Sequence, residues 1–275
     1  MMHTNNLKAL LPAVTEAVEV AGRTLLARFS SSARPHDLAA LLTAIEANDA
    51  AVSDALRDSL LRIRPGSGWV DDEEGGGPLP DGEWWIVDAV EGNVNHIHGS
   101  AAWAVSATLV VDGLAVLTVV KLPVTGMVYA AVRGQGATAN GMPLQVSKKT
   151  QLQAAIVGTG QARPGEARAV HAAIGASVFA MLGSALLVRM AVPATLELIE
   201  VASGRMDGFW QYSQVRSGLA AGVLLVSEAG GVVTDTHGQP WSFASPDMLA
   251  TTPGVHAAAV SCLGAAVDVY DAGQA

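Results

Sequence analysis

The sequence predicts a layered α/β (α+β) fold, with two sheets and helices packed around them. Three observations carry this. The N-terminal region places apolar side chains at three- and four-residue spacings, the period of helices buried on one face. From Trp84 to Val146, short β-prone runs are separated by Asp112-Gly113, Thr125-Gly126 and Asn140-Gly141, the punctuation of an antiparallel meander. Beyond residue 151, strand-like and helix-like stretches alternate.

Taken in order, Leu7, Leu10, Leu11, Val14, Val18, Ala21 and Leu25 define one face of a helix ending near Phe29. Ser30 to Pro35 reads as a loop. A second helix runs from about Leu41 to Ile63 and stops at Arg64-Pro65-Gly66. Asp71 to Gly82 is acidic and rich in Gly and Pro, hence loop. Strands are expected at Trp84–Val87, Ala104–Val111, Leu114–Leu122, Met127–Arg133 and Leu144–Val146. Gly134 and Gly136 lie between strands and read as a turn, not a dinucleotide fingerprint. The second half gives a strand at Ala155–Thr159, a helix from Glu166, a strand at Leu186–Met190 and a helix to Ala202. A strand at Gly208–Tyr212 and a helix at Ser217–Glu228 follow, the helix closed by Gly230-Gly231. The expectation is one domain over residues 1–275, with an α+β half to about 150 and an α/β half beyond.

Composition narrows the function. Half of the 275 residues are apolar and 15% are charged, which excludes general disorder. The net charge of −9 argues against a nucleic-acid partner. One cysteine, Cys262, excludes a disulfide framework and a Cys-rich zinc site and suits a reducing, cytoplasmic setting. Glu16, Glu19 and Arg23 interrupt what a secretory leader would keep apolar. The uncharged run Ala172–Val188 has 17 residues, short of a bilayer span, so no membrane partner is expected.

Acidic residues are scarce, so their clustering carries information. Asp71, Asp72, Glu73 and Glu74 are consecutive, and Asp88 and Glu91 follow the strand Trp84–Val87. Two such carboxylate groups can chelate a hard cation such as Mg²⁺. The competing reading of Asp71–Glu74 is a solvated loop.

Four segments carry a resemblance. They are WIVDAVEGNVNHIHG from Trp85, AVRGQGATANGMPLQVS from Ala131, VASGRMDGFW from Val201 and LAAGVLLVSEAGG from Leu219. In this order they resemble the inositol monophosphatase family. The resemblance implies an αβαβα sandwich, a homodimer and Mg²⁺-dependent hydrolysis of a phosphomonoester, with a small molecule as substrate.

It also implies roles. Asp88, the Val90 carbonyl, Glu91 and either Asp72 or Glu73 would ligate metal. Asp49 would orient the attacking water, with Asn93 where the family has a water-holding Thr. Gly92 and Asn93 would offer N–H groups to phosphate. Ala194 falls in the pocket-lining turn, and Gln211 stands where a Glu contacts a polyol hydroxyl. The chain departs from the pattern at Glu91, which replaces an Asp, at Gly218, which replaces a metal-binding Asp, and at His96, which replaces a Phe and reads either as a polar residue at a pocket edge or as an acid/base group, since imidazole titrates near neutral pH. These departures leave three readings. The first is a weak or specialised Mg²⁺-dependent phosphatase on a sugar or polyol phosphate, with one metal site surviving and the second damaged at Gly218 and altered at Glu91. The second is a metal-independent enzyme of cyclase, isomerase or lyase type, using Asp49, Asp88, Glu91, His96 and Gln211. The third is a non-catalytic binding relative.

Overall fold

A computed structural model of the chain describes residues 7–71, 75, 77–163, 165–213 and 215–272, with side chains as far as Gly264. The described residues include two long N-terminal helices, α1 (Leu11–Arg28) and α2 (Leu38–Ile63). The second starts three residues earlier than its apolar spacing suggested. Asp37 caps it, its carboxylate accepting from the Ala40 N–H at 2.8 Å.

The first sheet has seven strands in sequence order: β1 (Gly68–Trp69), β2 (Glu83–Glu91), β3 (Ala104–Val111), β4 (Leu114–Leu122), β5 (Met127–Val132), β6 (Ala137–Ala139) and β7 (Met142–Pro143). From β2 onward it is the expected antiparallel meander. The last hairpin differs from expectation. The Asn140-Gly141 turn joins β6 to β7, and Leu144–Val146 is not a strand. A five-residue helix, α3 (Asn93–Ile97), separates β2 from β3.

The second sheet has the order β11-β12-β10-β8-β9. Its strands are β8 (Ile156–Thr159), β9 (Leu187–Met190), β10 (Gly208–Gln211), β11 (Val232–Thr234) and β12 (Met248–Thr251). β8 pairs in parallel with both β9 and β10, and β12 pairs antiparallel with β10 and β11. The helices are α4 (Arg168–Leu182), α5 (Ala194–Ala202), α6 (Arg216–Glu228) and α7 (His256–Ala272).

Three apolar clusters stack these elements into layers. Val14, Leu25, Leu56 and Leu60 of α1 and α2 pack on Trp85, Val87, Leu109 and Leu117 of the first sheet. Ile86, Val110 and Val120 on its opposite face pack with Leu198, Ile199 and Leu224 of α5 and α6, which reach Phe209 and Ala250 of the second sheet. Met181 of α4 and Leu263 of α7 cover the far side of that sheet at Trp210 and Leu249. The order is helix, sheet, helix, sheet, helix. Because the first sheet is covered on both faces, its strands read as unbroken apolar runs. Among the described residues, no helix is long and apolar enough to cross a membrane.

Candidate active site

The site grows from the end of β2. Trp84 to Val87 gives a strand that the charge of Asp88 would be expected to close, yet β2 continues to Glu91. Asp88 pairs with Ser106 and Glu91 with Ala104, so three steps on β2 oppose two on β3 and one residue bulges. The bulge matters because residues three apart on a regular strand face opposite sides. The extra residue resets the alternation, and Asp88 and Glu91 line the same cavity. Gly92 then turns the chain into α3 with φ +81°. A Cβ there would stand 2.9 Å from the Ala102 carbonyl oxygen, so only glycine fits.

The cavity holds about 320 Å³. Asp88, Val90, Glu91, Gly92 and Asn93 form one wall, Ile45 and Asp49 of α2 another. Opposite them are residues that follow the C-terminal ends of β8 and β9 and the last residue of β10: Gln161 to Arg163, Val192 to Ala194, and Gln211. Ala194 and Asn93 open α5 and α3, and Gly218 lies in the first turn of α6. Helix N-termini favour an anion, so this end of the cavity suits phosphate.

A hydrogen-bond relay fixes the Asp49 wall. Asn93 Nδ2 donates to Asp49 Oδ1 at 3.1 Å and Asn48 Nδ2 donates to Asn93 Oδ1 at 2.9 Å. Arg28 Nε donates to Asn48 Oδ1 at 3.0 Å, which sets that amide's orientation. Burial holds the Asp49 carboxyl above its usual range, and the Asn93 hydrogen bond offsets this in part.

His96 closes the relay on the far side from the cavity. Its Nε2 lies 3.1 Å from the Leu25 carbonyl oxygen, which can only accept, so Nε2 carries the proton. Nδ1 then accepts from Asn48 Nδ2 at 3.1 Å. The ring packs edge-on against Phe29 and Trp103. Burial pushes its pKa down. Both nitrogens are engaged and the side chain does not line the cavity, so His96 has no free nitrogen to exchange a proton with a bound molecule. The acid/base expectation for His96 is therefore corrected to a buried, neutral residue holding Asn48.

Gln211 ends β10 and is 5% exposed. Its Oε1 has no hydrogen-bond partner among the described residues. An amide oxygen buried without a donor is costly. Asn95 donates from Nδ2 to the Ala102 and Val192 carbonyls at 2.8 and 2.9 Å.

The candidate donors for a metal are the Asp88 and Glu91 carboxylates and the Val90 carbonyl. They are all oxygen and share one wall, and Asp88 Oδ1 is held by the Val90 N–H at 3.0 Å. This set fits a hard divalent cation that keeps waters and substrate oxygens in its shell. Among the described residues, no three His, Cys, Asp or Glu side chains converge into a complete cage. Asp72 and Glu73 lie outside the described residues. Position 218 offers no side-chain ligand. Of the residues singled out in the sequence, Asp49, Asp88, Val90, Glu91, Gly92, Asn93, Ala194 and Gln211 meet at the cavity. Asn48, Gly160 and Thr195 were missed. None belongs to a motif, and each acts by holding a neighbour or leaving it room.

The model of the inositol monophosphatase family matches residues 6–266. The chain is 34% identical over 232 residues to an inositol-1-monophosphatase of Rhizobium meliloti, covering 84% of this chain and 86% of that protein. It is 34% identical over 183 residues to a putative Nus factor SuhB of Neisseria meningitidis serogroup B, covering 66% and 69%. Its fold is similar to that of an inositol monophosphatase from Anabaena, with a TM-score of 0.79 at 27% identity over 94% of this chain and 96% of that one.

Proposed function

We propose, from the premise that the chain belongs to the inositol monophosphatase family, that it hydrolyses a phosphomonoester of a polyol or sugar, inositol 1-phosphate among them, with Mg²⁺ as cofactor. The observation that carries this reading is the β2 bulge, which brings Asp88 and Glu91 onto one cavity wall beside helix N-termini. Bound there, Mg²⁺ would neutralise phosphate charge and acidify the attacking water. Asp88, the Val90 carbonyl and Glu91 would hold it.

The chain's own residues divide the remaining work. The first turns of α3, α5 and α6 present N–H groups toward the phosphate. Asn93 spends its side-chain oxygen on Asn48 and its amide hydrogens on Asp49 and the Ile45 carbonyl. A neutral amide cannot take a proton, so it positions Asp49. Asp49 is the carboxylate left to accept a proton from water, and a raised pKa makes it a better base. Gln211 Oε1 accepts from a hydroxyl of the leaving alcohol.

The test is phosphate release from a panel of phosphomonoesters with Mg²⁺ or EDTA. Release should require Mg²⁺ and vanish in Asp88→Asn. Release unaffected by EDTA would return the metal-independent reading, and none across the panel would return the binding reading.

We extend the proposal to a homodimer. Phe179 is 81% exposed and Leu186 67%, and Leu182, Leu187, Met190 and Val192 are exposed beside them. β9, which carries two of these, is an edge strand. An apolar patch on a free edge needs a cover. Val192 also lines the cavity, so a second copy seated here would abut the site.

A further inference from the structure

Glu91 is 4% exposed, and its carboxylate has a prepared berth. Thr195, fully buried on α5, places Oγ1 3.0 Å from Glu91 Oε2 and 2.8 Å from the Gly218 carbonyl oxygen. The single hydroxyl hydrogen is shared between two acceptors, the carboxylate of β2 and a backbone carbonyl of α6. On its other side the carboxylate lies over the bare Cα of Gly218. A Cβ built there would stand 3.7 Å from Glu91 Oε1, 3.5 Å from Val215 Cγ1 and 3.8 Å from Ala194 Cβ. A methyl group fits that space. A larger side chain would extend beyond that Cβ among neighbours that include the Glu91 carboxylate.

The geometry points to a positioning unit of Thr195 and Gly218. Thr195 fixes the Glu91 carboxylate by its hydroxyl, and Gly218 leaves the room into which the long side chain extends. A small residue at position 218, glycine or alanine, is then matched to the longer glutamate side chain. This rests on the proposed reading that the cavity binds a divalent cation through Asp88, the Val90 carbonyl and Glu91. A group that orients a ligand typically changes metal affinity about 10–100-fold when removed.

The experiment measures Mn²⁺ binding to the metal-free protein by electron paramagnetic resonance, with thermal melting alongside. Thr195→Val keeps the shape and removes the hydroxyl, and should raise the Mn²⁺ dissociation constant about tenfold or more. Thr195→Ser restores the hydroxyl and should stay within about threefold of wild type. Gly218→Ala should also stay within about threefold, and Gly218→Val should match Thr195→Val. In a Glu91→Asp background, where the shorter carboxylate no longer reaches the berth, adding Gly218→Val should have less effect than it does alone. If wild type binds Mn²⁺ and Thr195→Val binds it equally well, whether or not its melting point falls, the positioning role is overturned and the metal reading stands. If wild type binds no Mn²⁺, the metal reading fails and takes this inference with it.

Discussion

Gly160 offers a sharp test of the role given to Gln211. It follows β8 directly, and a Cβ built on it would stand 1.9 Å from Gln211 Oε1 and 2.8 Å from its Cδ. Ordinary contact begins near 3.4 Å, so in Gly160→Ala the amide must retreat by 3.4 − 1.9 = 1.5 Å. Gln211 ends its strand with an open cavity before it, so its side chain can swing while the strand stays. Overpacking of this kind costs about 1–3 kcal/mol, and relief into the cavity keeps the variant at the low end. A misplacement near 1 Å in a preorganised site can cost about 10²-fold. The expected result is a fall of about 10- to 100-fold in kcat/KM for a polyol phosphate, equivalent to roughly 1.4–2.7 kcal/mol of transition-state binding. An aryl phosphate whose leaving group has no hydroxyl should lose little. Adding Gln211→Ala to Gly160→Ala should cost almost nothing more, because the contact is already gone. Phosphate release on both substrates, with melting curves, decides it. Unchanged kinetics on the polyol phosphate in a folded variant would refute the assignment of Gln211 Oε1 as a hydroxyl acceptor.

Other consequences follow from the same geometry. Asp49→Asn keeps an oxygen to accept from Asn93 but removes the base; turnover should drop at least about 10²-fold. Its folded-state pKa is raised, so the ionised form costs stability above that pKa, and the variant should melt at or above the wild-type temperature at pH 7. His96 has a lowered pKa, so the unfolded chain binds its proton first and stability is lost as pH falls below about 6.5. Urea unfolding of His96→Gln should be weaker at pH 7.5, by about 1–3 kcal/mol for the disturbed relay, and flatter between pH 7 and 5. Phe179→Asp with Leu187→Lys should convert a two-chain species to a one-chain species by analytical ultracentrifugation, with secondary structure intact; a wild type already of one-chain mass contradicts the homodimer.

The sequence shows the layers well because periodicity reports burial. Trp85 and Val87 face the outer helices and Ile86 the inner ones, and that two-sided burial is legible as an apolar run. What periodicity cannot show is where a strand ends when a charged residue belongs to it. Asp88 reads as a terminator, and the bulge that keeps it in β2 leaves no mark in composition. Leu144–Val146 fails for the converse reason. It is apolar enough for a strand, but the Asn140-Gly141 turn closes over residues 137–143 and leaves it outside the ladder. At the site, motif residues are legible and their supports are not. Asn48, Gly160 and Thr195 have no chemistry of their own to announce. His96 is the opposite case: its titratable ring suggests chemistry that its two hydrogen bonds and aromatic neighbours foreclose.

Crystals soaked in Mn²⁺ and inorganic phosphate, measured at the manganese absorption edge, would locate the metal outright. The site geometry predicts anomalous density within about 2.3 Å of an Asp88 carboxylate oxygen, the Val90 carbonyl oxygen and Glu91, with a phosphate oxygen completing the shell. A cavity holding phosphate but no anomalous scatterer beside Asp88, at Mn²⁺ concentrations that saturate turnover, contradicts it.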